Sequence, residues 1–131
     1  MLVNQGRDGL HAQHLGTAAQ PAAYNFMGLT ANSAGPVATN TSLPGEITSA
    51  GGGLIRKQAA YAHTPGATTS TLTATFTSNG SDALPVTIAK IGIFNHLTTA
   101  AAMGYETALN ATATLTTVGD ALTVTETVTA S

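Results

Sequence analysis

The chain contains no cysteine and no tryptophan, and only 8% of its 131 residues are charged. Without cysteine there are no disulfides, no cysteine-ligated zinc and no thiol nucleophile, so stability has to come from packing, hydrogen bonds or neighbouring molecules. The basic residues are Arg7, Arg56, Lys57 and Lys90, and the formal net charge is -2. That leaves no basic cluster to neutralise phosphates, which disfavours nucleic acid as a partner. The same shortage argues against a polybasic membrane surface. Nowhere do about 18 apolar residues run together, so no membrane-spanning segment is expected. The opening Met1-Leu2-Val3-Asn4-Gln5-Gly6-Arg7-Asp8 lacks the basic and apolar regions of a secretory leader. The composition is compatible with synthesis in a reducing cytoplasm.

Threonine and alanine dominate, with threonine concentrated from Thr68 onward. Threonine is stiff at its branched β-carbon and suits a pleated strand, while its half-polar side chain accepts water or another subunit. Aromatics make up 5% of the chain, so the core must be built from small residues. Such a core is thin, and burial against neighbours is expected to add to it. The length supports one domain and leaves no room for a separate catalytic one.

Two parts are expected: an N-terminal arm or short helix over 1–20, and a β-sandwich over 21–131 with a long loop at 31–53. Residues 4–15 carry apolar positions at three- and four-residue steps, but Gly6 and Gly9 weaken a helix there, and an extended arm fits equally well. Residues 22–30, with Tyr24, Phe26 and Met27, read as a first strand. The long loop is punctuated by Gly35-Pro36, Pro44-Gly45 and Gly51-Gly52-Gly53, with a turn of helix expected at 45–49. A loop of that length in a compact domain is usually functional or mobile, which makes it a candidate contact surface.

Strand signals then recur every 8–12 residues. Residues 54–63 form one, closed by Thr64-Pro65-Gly66. Residues 68–78 place Leu72, Ala74 and Phe76 on one face and Thr71, Thr73, Thr75 and Thr77 on the other, the two-residue period of a half-buried strand. In 84–95 the apolar phase shifts from Val86 and Ile88 to Ile91 and Ile93. Either a β-bulge near Ala89-Lys90 absorbs the shift or both faces of a central strand are covered. Residues 102–109 and 111–118 form one continuous strand or one interrupted at Asn110. Gly119-Asp120 turns the chain into 121–130. About seven short strands of this kind predict an all-β protein, an antiparallel β-sandwich or small barrel.

Few residues suggest chemistry. His11 and His14 sit three apart and would share one face of a helix if one forms there, but no carboxylate or third histidine lies near them in sequence to complete a metal site. His63 and His96 with Asp82, Glu106 and Asp120 permit a triad on paper, yet the chain has no Gly-x-Ser-x-Gly elbow. Gly51-Gly52-Gly53 lacks the lysine and hydroxyl residue of a phosphate loop. Asn40-Thr41-Ser42, Asn79-Gly80-Ser81 and Asn110-Ala111-Thr112 match the glycosylation pattern, which carries little weight without a leader. Neither a catalytic site, a cofactor nor a metal is expected. Arg56-Lys57 is the only adjacent basic pair, suited to an acidic neighbour or to guarding a strand edge against unwanted pairing. The candidate interface residues, drawn from the N-terminal segment, the long loop and this pair, are Arg7, Asp8, Leu10, Glu46, Arg56 and Lys57.

The stretch from Pro85 through Ile91-Gly92-Ile93-Phe94-Asn95, the segment Met103-Gly104-Tyr105-Glu106 and the closing Gly119-Asp120-Ala121-Leu122-Thr123-Val124-Thr125 together resemble a group of small tailed-bacteriophage virion proteins. The opening Val3-Asn4-Gln5-Gly6-Arg7-Asp8 and Thr41-Ser42-Leu43-Pro44-Gly45-Glu46-Ile47 are similar to the same group. The chain departs from the pattern in its richness in alanine and in His96-Leu97 after Phe94-Asn95. The resemblance implies a β-sandwich that coats the phage head as a decoration or cement protein. Its partners would be the major capsid protein and other copies of itself, trimers being the commonest arrangement. The virion would be its location and the host cytoplasm its place of synthesis. A tail or head-fibre component that meets the host surface is the second expectation, and a small hydrolase a distant third.

Overall fold

A computed structural model describes residues 1–8, 23–98 and 101–129. Its strands are β1 (Phe26–Thr30), β2 (Lys57–Gln58), β3 (Ala60–His63), β4 (Thr69–Thr77), β5 (Val86–Phe94), β6 (Met103–Leu115) and β7 (Ala121–Thr129). They form two antiparallel sheets, one of four strands ordered β2-β1-β5-β6 and one of three ordered β3-β4-β7. The all-β sandwich is as expected.

The strand expected over 54–63 is two. β2 pairs with β1 in the four-stranded sheet and β3 with β4 in the three-stranded one. Between them Ala59 is buried and donates its N–H to Asn25 O at 2.8 Å. A small side chain at that corner lets the chain change sheets without opening the core. The helical turn expected at 45–49 is absent: Glu46 makes a β-bridge to Thr30, and Ile47 N–H donates to Leu29 O at 2.9 Å.

β4 has the phase its alternation predicts, with Leu72, Ala74 and Phe76 buried inside the sandwich. In β5 the two readings prove compatible. The register against β6 shifts between Ile88 and Lys90, and every residue from Ile88 to Phe94 is buried. The shift lets Ile88 join Ile91 and Ile93 in the inter-sheet core while Lys90 faces the other way. β6 runs unbroken through Asn110.

Two apolar clusters result. The larger fills the space between the sheets and contains Met27, Leu29, Leu54, Leu72, Phe76, Ile88, Ile91, Ile93, Leu115 and Val124. The smaller one, Val3, Leu43, Phe94 and Met103, lies on the opposite face of the four-stranded sheet. The N-terminus and the long loop cover that second face. Leu2 bridges to Tyr105, Val3 N–H donates to Gly104 O and Glu106 N–H to Met1 O, both at 2.9 Å, which extends the sheet past β6. One helical turn follows at 4–8. Gly6 sits there because a Cβ would lie 2.3 Å from Gly104 O, inside contact distance of a backbone atom.

Candidate functional site

The covered face of the four-stranded sheet holds ionised side chains in an otherwise apolar setting. Lys90 on β5 and Glu106 on β6 meet at 2.6 Å, Nζ to Oε1, with side chains 2% and 0% exposed. An ion pair so far from water survives only if its remaining valences are also met. The long loop meets them: Asn40 Nδ2 donates to Glu106 Oε2 at 2.8 Å and Val37 N–H to the same oxygen at 3.2 Å. Burial pushes the Glu106 carboxyl up, but the hydrogen bonds from Lys90, Asn40 and Val37, with the Lys90 charge, outweigh it and hold it below the usual carboxylate range.

A second pair lies on the same face. Arg56 forks onto Glu46, Nε to Oε2 at 2.8 Å and Nη2 to Oε1 at 2.6 Å, the two-bond geometry that a guanidinium favours. Its Nη1 donates to His96 O and Thr98 O at 3.0 and 2.6 Å, and the guanidinium Cζ lies over the Phe94 ring, 3.4 Å from its centroid. Gly28, paired with Gly92 across β1 and β5, leaves the space these groups occupy. A Cβ on Gly28 would lie 2.5 Å from Glu46 Oε2. Beside this pair is an open hollow of about 450 Å³, lined by Glu46, Ile47, Ile55, Arg56, Leu97 and Thr98 among others.

The outer face of the three-stranded sheet is the opposite case. Thr69, Thr71, Thr73 and Thr75 on β4 stand across from Thr129, Thr127, Thr125 and Thr123 on β7. The hydroxyls of Thr73 and Thr125 lie 3.2 Å apart and those of Thr75 and Thr123 2.8 Å apart. These rows bear no charge.

Of the six candidate interface residues, the structure brings Glu46 and Arg56 together, as partners of each other within the fold. Lys57 reaches from β2 to Thr75 O at 2.6 Å and approaches the Phe76 ring, so it ties the two sheets together. Arg7 and Asp8 are exposed on the helical turn, and burial followed by the charge of Asp8 raises the Tyr24 phenol. Leu10, His11 and His14 lie outside the described residues.

The triad drawn on paper is dispersed. His63 bonds to Thr69 O and His96 packs beside Phe26. Asp82 accepts from the N–H groups of Gly53, Leu54 and Asn79, and Asp120 from those of Thr116 and Thr117. No group of three potential metal ligands occurs among the described residues. Sequence reasoning missed Lys90, Glu106 and Asn40 as one cluster. The available signal was Lys90 itself, a lone cation inside the apolar run from Val86 to Phe94, since a buried lysine requires a partner.

The chain matches no protein-family model, and a search of curated proteins returns no match.

Proposed function

We propose that this chain is a non-enzymatic structural virion protein of the capsid decoration, or cement, type. It binds the major capsid protein and further copies of itself on the surface of the phage head. The observation that carries the reading is the distribution of charge. Lys90, Glu106, Arg56 and Glu46 are bonded inside the fold, whereas the threonine rows present a neutral, small-residue surface. Covering such a surface requires no charge to be stripped of water, and interface cores are depleted in charged residues for that reason. The likeness of the Ile91 to Asn95, Met103 to Glu106 and Gly119 to Thr125 segments to small phage virion proteins supports the same reading. Each copy would bury on the order of a thousand Å² between neighbours, and many copies would add up to a stiffer shell.

A tail or head-fibre component is the second reading, favoured by one feature. Tyr61 is 64% exposed and stacks on His63 with ring centroids 6.5 Å apart, near the turn of the β3–β4 hairpin. An exposed ring of that kind suits a sugar. Co-sedimentation of the purified chain with empty heads, run beside adsorption to host cells, tests both readings. Retention on heads is the expected result; adsorption to cells without retention on heads would reject the decoration role in favour of the second.

A further inference from the structure

Lys90, Glu106 and Asn40 combine three properties seldom found together: an amine, a side-chain amide and a shared carboxylate, set on a covered face of a rigid sheet. Lys90 Nζ is 2.6 Å from Glu106 Oε1, and Asn40 Nδ2 is 2.8 Å from Glu106 Oε2. One carboxylate therefore holds a nucleophile on one oxygen and a leaving nitrogen on the other. We propose that these three residues are an autocatalytic crosslinking site, in which Lys90 Nζ and Asn40 Cγ join as an intramolecular amide.

The step balances without any co-reactant. Glu106 takes a proton from the Lys90 ammonium across their hydrogen bond, leaving a neutral amine. The amine lone pair attacks Asn40 Cγ, and the new C–N bond forms as the carbonyl electrons move onto Oδ1. The intermediate collapses, the Cγ–Nδ2 bond breaks, and Nδ2 leaves as ammonia with the proton that Glu106 returns. The attacking nitrogen's surplus proton leaves by the same carboxylate, so Glu106 ends ionised and ammonium enters the solvent. Nothing is oxidised or reduced.

Several features of the fold favour this chemistry. Burial works against the charged pair, while the contacts that hold Glu106 ionised make the first proton transfer the costly step, taken across a direct 2.6 Å hydrogen bond. Proximity substitutes for concentration, and well-oriented intramolecular reactions reach effective molarities of about 10⁵–10⁸ M. The carboxylate is itself oriented by Val37 N–H. Asn40 is held on a turn closed by its own N–H to Val37 O at 3.0 Å, and that turn is pinned from the other side by Asn4 N–H to Ala38 O at 2.9 Å. Val3, Leu43, Phe94 and Met103 make this face of the sheet apolar. Asn40 is only half-buried, so the released ammonia has a way out. The bond would fasten the long loop to the central strand of its sheet, and it does not depend on the virion reading.

Intact-mass measurement on the full-length chain, unfolded after folding to completion, tests the proposal. The expected wild-type mass is lower than the sequence mass by one ammonia, and both Asn40→Ala and Glu106→Gln have full mass. Trypsin should leave Lys90 uncut and yield one branched species joining residues 8–56 to 58–131. Asn40→Ala keeps the Lys90–Glu106 pair, so its folding is checked independently by circular dichroism. A wild-type chain of full mass overturns the proposal. So does a deficit that persists in Asn40→Ala or lacks the branched species, because cyclisation at Asn79-Gly80 also expels ammonia.

Discussion

The two outward faces of the sandwich handle polar side chains in opposite ways. On the four-stranded sheet, the N-terminal residues and the long loop fold back over the strands, and the groups enclosed there are Lys90, Glu106, Arg56 and Glu46. On the three-stranded sheet nothing among the described residues covers the strands, and the side chains facing out are threonines paired across β4 and β7. A charge withdrawn from water needs several fixed partners, which loops can bring; a hydroxyl in water needs none. The covered face is thereby committed to one arrangement, and the open face stays available to a neighbour.

Glu106→Ala should break that contrast most severely. It leaves the Lys90 ammonium buried without its partner, at a cost of about 3–5 kcal/mol. Chemical denaturation measures the loss, and replacing Lys90 by Met in the same chain should recover part of it. If the single variant is as stable as the wild type, the buried pair is not what organises this face.

Gly28→Ala comes next. Its Cβ would push against Glu46 Oε2 and, at 3.3 Å, against the Phe94 ring, with an expected loss of about 1–3 kcal/mol. The Glu46–Arg56 fork should loosen, which a shift in the thermal midpoint and in the amide signals of His96 and Thr98 would reveal.

On the open face, Thr75→Val with Thr123→Val removes a hydroxyl pair from solvent-exposed positions. The change in stability should stay below about 1 kcal/mol. A larger loss would mean that the threonine rows hold the sheet together and do more than coat it.

The smallest effect should come from Asp120, a partly exposed carboxylate at the β6–β7 turn. The N–H groups of Thr117 and Thr116 hold it below the usual carboxylate range. A depressed folded value stabilises the fold above the unfolded value of about 3.9 and loses that contribution as pH falls through the folded one. The difference in melting midpoint between wild type and Asp120→Asn should therefore shrink on acidification below pH about 4. A constant difference would show that the carboxylate's charge plays no part in the turn.

Much of the sandwich was legible because its signals are local. Residues 71–77 alternate threonine and apolar, and β4 carries Leu72, Ala74 and Phe76 inward as that period demands. The phase slip between Ile88 and Ile91 announced the irregular register of β5, and Gly119-Asp120 announced a turn. Failures arose where one local pattern served two distant partners. Residues 54–63 read as one strand, yet 57–58 and 60–63 divide between two sheets because their neighbours are β1 on one side and β4 on the other. The basic pair illustrates the same limit for the site: Arg56 and Lys57 are adjacent in sequence, but Arg56 turns to Glu46 and Lys57 crosses to Thr75.

The sequence by itself determined the strands, their inward faces and the scarcity of charge, since a two-residue period and a composition are properties of short stretches of chain. Only the tertiary structure decided that Asn40 and Lys90 share the Glu106 carboxylate and that the long loop roofs one sheet. Those contacts join residues 16 to 66 positions apart. Which distant groups meet depends on how the sheets stack and where the loops cross them, and no local spacing encodes that.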